Sequence, residues 1–292
     1  MTYLIHVALS TTLSDITTLS LVYRGFRSNG LIITLKVLVL IGERMPLLPA
    51  PIFVKAKTLP EAWEISIAKL WSSGIIIETE YNQRSVDAPA IILIEEPLSE
   101  PRIHLKGIFA GSPKGLFEYV DEVLEGIHDH LVEKFGYTYH ERLFTYKTPC
   151  GEVINQIEYI IEKLKKAPYS RRAQAITWQP WKDIKTEYPP CLQRLWFRVV
   201  NGKLILHAHK RSNDALKAAF MNMYAFTELQ RRIADQLGVE VGYYMHIVDS
   251  YHIYESDWKW AEKFVEQIKK GISKKYWKNT IEFKRMAKII GK

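Results

Sequence analysis

Cysteine is scarce in this chain and metal-ligand spacings are missing, and both absences narrow its chemistry. Only Cys150 and Cys191 occur in 292 residues. Two thiols do not make a disulfide framework, which favours an intracellular, cytoplasmic protein. No CxxC, HExxH or clustered Cys/His spacing is present, so no zinc or other metal is expected. A GxGxxG turn and a P-loop are equally absent, which removes support for dinucleotide or ATP binding. No internal repeat appears. The apolar run Leu31–Ile41 is too short to span a bilayer and carries Lys36, so no membrane partner is expected. It also lies too far from the start, without a small-residue cleavage site, to read as a signal peptide.

What is present is an ordinary globular composition, 47% hydrophobic and 25% charged, long enough for one large domain or two small ones. The formal charge of +8 and pI of about 9.2 favour phosphate-bearing partners. Much of the excess sits near the end, in Lys269-Lys270, Lys274-Lys275, Lys278, Lys284-Arg285, Lys288 and Lys292. The plainer reading of that tail is a solvated face of terminal helices. An RNA-binding protein is the competing one, but no RNA-recognition signature accompanies the charge, so nucleic acid is not the expected partner.

Residues 1–50 read apart from the rest, as a β-rich N-terminal extension outside the main fold; Met45 is an alternative natural start, leaving 1–44 outside the natural protein. From 51 to 292 the pattern is regular. Leu59-Pro60-Glu61 opens a helix to about Ser72, and Gly74 ends it. Strands are expected at Ile75–Glu80 and Ala90–Ile94, separated by the polar loop from Asn82 to Ser85. Helices follow at about Pro113–Lys134 and Val153–Lys166. Ala173–Trp178, Leu192–Val200 and Lys203–His209 read as strands, the last two joined by the hairpin signal Asn201-Gly202. A helix over Asp214–Leu237, a strand over Val241–Val248 and two amphipathic helices complete the chain. Helices and strands mix without a βαβ rhythm, which gives an α+β fold.

Two segments carry chemistry. Tyr188-Pro189-Pro190-Cys191 holds a thiol rigidly just ahead of a strand. Arg211-Ser212-Asn213-Asp214 follows twenty positions after the cysteine. An arginine brought beside a cysteine favours its thiolate, and its planar fork suits a phosphate or carboxylate. A buried structural cysteine and a surface arginine are the plainer readings of each alone. Together they point to covalent chemistry on an anionic substrate.

Several ordered segments resemble thymidylate synthase, specifically its archaeal, methanogen-type branch. Ala167-Pro168-Tyr169-Ser170-Arg171-Arg172 is similar to the family's DPxSRR stretch, and Pro189-Pro190-Cys191 to its nucleophile motif. Lys210-Arg211-Ser212-Asn213-Asp214 resembles QRSxD, Phe220-Met221-Asn222 resembles PFN, and Asp249–Tyr254 resembles DxHxY. Upstream, Tyr137–Arg142 is similar to VYGxQWR. The resemblance covers about residues 59–257. It implies a single catalytic domain with a mixed sheet and surrounding helices, over 51–292.

The resemblance also implies the roles. Cys191 adds to C6 of dUMP, and C5 then takes a methylene group and a hydride from 5,10-methylenetetrahydrofolate, giving dTMP. Arg211 and Ser212 bind the 5′-phosphate. Arg171 and Arg172 reach the phosphate of the partner in a homodimer, and Arg84 matches a phosphate-loop arginine. His252 and Tyr254 bond the deoxyribose 3′-hydroxyl, Tyr139 serves proton removal from C5, and Asp214 faces the pterin. A plain helix cap is the alternative for Asp214. The catalytic glutamate is Glu118, with Glu122 as the other candidate. Asn222 presents both a donor and an acceptor to the O4/N3 edge of uracil, which favours dUMP over dCMP.

The chain also departs from the common pattern. Leu192 stands where a histidine is usual, and Trp196 and Lys210 each replace a glutamine. The run usually written ELLWFLxGxTN is replaced by Leu116–Gly126, and the tail is basic. The folate half therefore matches less well than the nucleotide half, and a methanopterin-type carrier is the alternative donor. A dUMP or dCMP hydroxymethylase, in which water captures the methylene, is the alternative reaction.

Overall fold

The computed structural model describes residues 5–11, 17–23, 40–41, 48–108 and 113–290, with side chains for 48–108, 114–134 and 136–286. The chain divides into two compact units, Met1–Leu48 and Pro49–Lys292. In the first, strands Ile5–Thr11, Thr17–Tyr23 and Leu40–Ile41 form an antiparallel sheet in chain order.

The second unit is α+β, built on a seven-stranded mixed sheet. In chain order its main elements are β1 (Ile52–Ala56), α1 (Leu59–Ser73), β2 (Ile75–Glu78), β3 (Arg84–Ile94), α2 (Pro113–Glu125), α3 (Tyr139–Phe144) and α4 (Gln156–Lys166). Then come β4 (Gln174–Ile176), β5 (Leu192–Val200), β6 (Lys203–Asp214), α5 (Ala219–Leu237), β7 (Glu240–Tyr254), α6 (Trp258–Lys269) and α7 (Thr280–Ile290). The sheet order is β4-β5-β6-β7-β3-β1, with β2 pairing β3. Most pairs are antiparallel, but β6 runs parallel to β7 and β1 parallel to β3. A helix lies between the members of each parallel pair, a rhythm that the mixed order of elements hides in the sequence.

Alternation decides which face of the sheet is covered. Leu195 and Phe197 of β5, Leu204, Leu206 and Ala208 of β6, and Tyr244 and Val248 of β7 are buried on one face. Helix α5 buries Phe220, Met223, Phe226, Leu229 and Ile233, and it contacts both β6 and β7. Each such side chain stabilises the fold by roughly 1.5–3 kcal/mol through apolar area removed from water. The opposite face carries the half-exposed Trp196, His207 and Tyr243, stacked in a row across β5, β6 and β7.

The boundaries differ from the expected ones in ways that matter for the site. Helix α2 stops at Glu125, well short of Lys134, because Gly126 takes φ +66° and packs against His140. A side chain at Gly126 would collide with that imidazole. Strand β6 continues to Asp214 and β7 to Tyr254, longer than expected, because each supplies the other's ladder partners. Helix α5 accordingly starts at Ala219 rather than Asp214. Arg84 and Ser85 belong to β3 and not to the preceding loop.

Candidate active site

Strands β5, β6 and β7 end beside α2, α3 and α5, and the gap between them is a cleft of about 510 Å³. A larger cavity, about 790 Å³, is lined by Lys55, Glu95, Lys203 and Tyr243 and has no cysteine among its described lining residues. Chemistry resides in the smaller one. It is lined by Cys191, Arg211, Ser212, Asp214, Asn222, His252 and Tyr254. Tyr81, Tyr119, Glu122, Tyr137, Tyr139, Tyr188 and Lys210 complete most of its wall.

Cys191 is aimed by the chain on either side. Arg211 donates from Nη2 to the Pro189 carbonyl (2.8 Å) and from Nε to the Pro190 carbonyl (3.1 Å). Its backbone N–H donates to the Cys191 carbonyl at 2.9 Å. One arginine thus ties down the two prolines and the cysteine, and most of its guanidinium N–H groups remain for an anion. Ser212, next on the strand, also lines the cleft, and its hydroxyl has no hydrogen-bond partner among the described residues.

The parallel ladder of β6 and β7 brings separate motifs into register. Asn213 lies opposite Tyr251, and Asp214 opposite His252. Asp214 Oδ1 accepts from the backbone N–H groups of Leu216 (2.9 Å) and Lys217 (2.8 Å), which braces the turn ahead of α5 and does not cap the helix, whose N-cap is Ala218. Burial pushes its carboxyl pKa up. His252 packs edge-on against Tyr254, with ring centroids 4.7 Å apart, and burial pushes the Tyr254 phenol up to about 12. Ser250 Oγ donates to the Asp87 carboxylate, which burial holds above the usual range.

At the inner end the polar groups are buried and mutually satisfied. Lys210, 1% exposed, donates to Asn222 Oδ1 at 2.6 Å and to the Tyr139 hydroxyl at 3.0 Å. Burial lowers the lysine pKa to about 8, and neighbouring Arg211 adds to this while Cys191 opposes it. The Tyr139 hydroxyl also accepts the Leu192 N–H at 3.3 Å. Burial raises the Tyr139 and Tyr119 phenols well above their usual value, and raises Tyr137 to about 12.

Some expected site residues lie elsewhere. Glu118 pairs with Lys114 on the open side of α2 and does not line the cleft, so the glutamate assignment moves to Glu122. Glu122 accepts from His128 Nδ1 at 2.7 Å. The early stop of α2 turns the chain back and brings His128 to that carboxylate. Arg84 is exposed, bound to Glu255 at 2.5 Å and stacked over Trp258, outside the cleft wall. Arg171 and Arg172 are exposed on the turn before β4, outside the cleft, and their guanidinium groups have no partner among the described residues. Four tyrosines of the wall, Tyr81, Tyr119, Tyr137 and Tyr188, were given no role by sequence reasoning. Tyr137 packs against Tyr139 with ring centroids 5.6 Å apart, Tyr119 receives an N–H from Asn222, and Tyr81 and Tyr188 stand at the open rim. For Tyr137 the signal was available, since it shares a segment with Tyr139.

Among the described residues no group of three or more His, Cys, Asp or Glu side chains is placed to hold a metal ion. No described helix is long and apolar enough to cross a membrane.

Comparison with known proteins bears on this geometry. The family profile described as thymidylate synthase matches residues 100–289. A Methanosarcina mazei protein provisionally named thymidylate synthase is 33% identical over 74% of this chain and 95% of its own length. One from Methanocaldococcus jannaschii, named in the same way, is 36% identical over 74% of this chain and 97% of its own. A third, from Methanopyrus kandleri, is 29% identical over 71% and 95% respectively.

Proposed function

Because the chain belongs to the thymidylate synthase family, we propose that this cleft converts dUMP to dTMP by covalent activation at Cys191. The observation that carries this reading is the meeting of Cys191, Arg211, Asn222 and His252 in one cleft, although they come from four separate segments. The Cys191 sulfur adds to C6 of the pyrimidine, and the electron pair moves to C5. C5 attacks the methylene group of the reduced carrier; loss of the C5 proton then breaks the bond from the methylene to the carrier nitrogen and leaves an exocyclic methylene, and hydride from the released carrier completes the methyl group as Cys191 departs. Methylenetetrahydrofolate or a methanopterin-type analogue supplies both the carbon and the hydride.

The residues divide the work along the cleft. Arg211 and Ser212 hold the phosphate, with donors not already committed to the protein. His252 and Tyr254 face the deoxyribose, and Asn222 faces the base. Tyr137 and Tyr139 hold protons at the face where C5 loses its own, while Glu122 stands at the same wall. Asp214 spends one carboxylate oxygen on backbone N–H groups and keeps the other for the pterin. Arg171 and Arg172, whose guanidinium groups have no partner among the described residues, belong in this reading to the phosphate site of a second copy. The half-exposed row of Trp196, His207 and Tyr243 on the sheet's other face supports a homodimer.

Release of tritium from 5-tritiated dUMP tests the reading directly. Wild-type protein with a reduced methylene carrier is expected to release it and to accumulate dTMP. Formation of 5-hydroxymethyl-dUMP instead would establish a hydroxymethylase, and no release with any carrier would overturn the assignment.

A further inference from the structure

Asp87 is a carboxylate 5% exposed on β3, and the dTMP mechanism above gives it no task. It is not part of the cleft wall. Its place in the sheet nevertheless ties it to a residue that is. Asp87 lies directly opposite His252 in the antiparallel ladder of β3 and β7, and His252 lies opposite Asp214 in the parallel ladder of β7 and β6. Directly opposed residues share a face, so the imidazole stands in a row between two acidic side chains.

The link from Asp87 to His252 runs through Ser250, at a break in the ladder. Pairing is regular up to Val248 opposite Ala90 and resumes with Tyr251 opposite Ala88. Asp249 and Ser250 therefore face the single residue Pro89. Proline has no N–H for a ladder, and such a two-for-one step is a β-bulge, which re-aims the side chains around it. At this bulge Ser250 Oγ donates to Asp87 Oδ2.

That bond fixes the polarity of everything beyond it. A carboxylate only accepts, so the single hydroxyl proton of Ser250 is spent on Asp87. Toward the ring Ser250 then offers acceptors alone. Its carbonyl oxygen lies 3.2 Å from His252 Nδ1 and its Oγ 3.4 Å. Nδ1 must carry a proton to bond either. In the neutral ring the lone pair is then on Nε2, which has no hydrogen-bond partner among the described residues. Burial raises the Asp87 pKa, while the Ser250 hydroxyl and the His252 ring oppose that rise, so the three groups are energetically joined.

We propose that Asp87 is a positioning residue that acts through Ser250 to hold His252 as its Nδ1–H tautomer, leaving a bare Nε2 to accept from a hydroxyl of the ligand. The inference rests on the dUMP reading of the cleft, in which that hydroxyl belongs to the deoxyribose. With asparagine in place of Asp87 the device loses its polarity. An amide can donate to Ser250 Oγ, the serine proton is then free to turn to Nδ1, and the ring can move its own proton to Nε2, where it no longer accepts.

Two measurements test this. The first needs no ligand and reads the nitrogen NMR shifts of the His252 ring, at a pH where the ring is neutral. Wild type should show a proton-bearing Nδ1 and a bare Nε2, and Asp87→Asn should show a mixture or the reverse. A wild-type ring with its proton on Nε2 overturns the proposal, and this arm needs no variant to fold. A wild-type pattern retained in folded Asp87→Asn protein does the same.

The second compares kcat/KM for tritium release from 5-tritiated dUMP and from its counterpart lacking the 3′-hydroxyl. The wild-type preference for dUMP should fall by roughly tenfold in Asp87→Asn, the scale of one hydrogen bond. In a Ser250→Ala background the same substitution should change the ratio no further, because the two residues act in series. A merely structural carboxylate would depress both nucleotides equally, and that result in a folded variant overturns the proposal while leaving the function intact. Absence of any wild-type turnover of dUMP removes the functional reading, and the nitrogen shifts alone then decide the tautomer.

Discussion

The two ends of the cleft are built on opposite principles. At the inner end, which the proposed function gives to the base, Lys210, Asn213, Asn222 and His246 are almost wholly buried and joined in one row of hydrogen bonds. At the phosphate end, Ser212 has no side-chain partner among the described residues, Arg211 keeps free donors, and Tyr81 and Tyr188 stand at an open rim. A closed, satisfied network cannot rearrange without leaving a buried polar group unpaired, at a cost of about 1–3 kcal/mol each. An open arginine loses little by waiting in water. The base end is therefore set before a ligand arrives, while the phosphate end is completed by the ligand itself and, in the proposed dimer, by a second copy.

The sharpest way to break the comparison is to remove the group between the two ends. Cys191→Ala should abolish tritium release from 5-tritiated dUMP, with a loss of at least about 10⁴-fold, because no second thiol is among the described residues of the wall. Turnover near wild type would end the covalent mechanism. Arg211→Ala comes next. It should weaken dUMP binding by roughly 10–100-fold and deoxyuridine far less, as calorimetry would show. Equal losses for the two would mean that the arginine serves only to clamp the Pro189-Pro190-Cys191 turn.

Acid should separate the ends by stability. His246 is held neutral by burial, far below its usual value, and His104 is lowered by burial as well. The unfolded chain takes up protons at both rings below about pH 6.5 while the fold resists, so their contribution is complete above that pH. It should then fall by up to about 1.4 kcal/mol per pH unit for each ring on further acidification. Denaturant midpoints from pH 7 to pH 5 would show this slope, and replacing His246 should reduce it. A smaller effect is expected from Arg84→Ala. Its exposed pair with Glu255 is screened by solvent, so both stability and dUMP turnover should stay close to wild type. A tenfold loss of turnover would return Arg84 to the phosphate site.

The same contrast explains what was legible in the sequence. Cys191, Arg211, Asn222 and His252 could be named because the chemistry demands those residue types in short motifs. The α+β class and the Leu192–Val200 strand followed from alternation and from the Asn201-Gly202 turn. Glu118 and Glu122 could not be told apart, since they share one side of a helix and only the stop at Gly126 decides which meets the cleft. Lys210 was visible only as a departure from a glutamine. A lysine in a strand ordinarily reads as surface, and its burial is fixed by partners on α3, α5 and β7 that no local pattern reveals. The parallel pairing of β6 with β7 was hidden for the same reason, because register between distant strands is a tertiary fact.

The Asn201-Gly202 turn, with φ of 49° and 73°, joins β5 to β6 and sets Leu192 opposite Lys210. It lies roughly 30 Å along the strand from the thiol, at about 3.3 Å per residue. One inserted residue there would slip the ladder by a step and exchange the faces of one strand. Lys210 would then look outward and His209 inward, with every catalytic residue still present in the chain. The turn acts as the gauge block of the cleft, and its length is as strict a requirement for the chemistry as the identity of the cysteine.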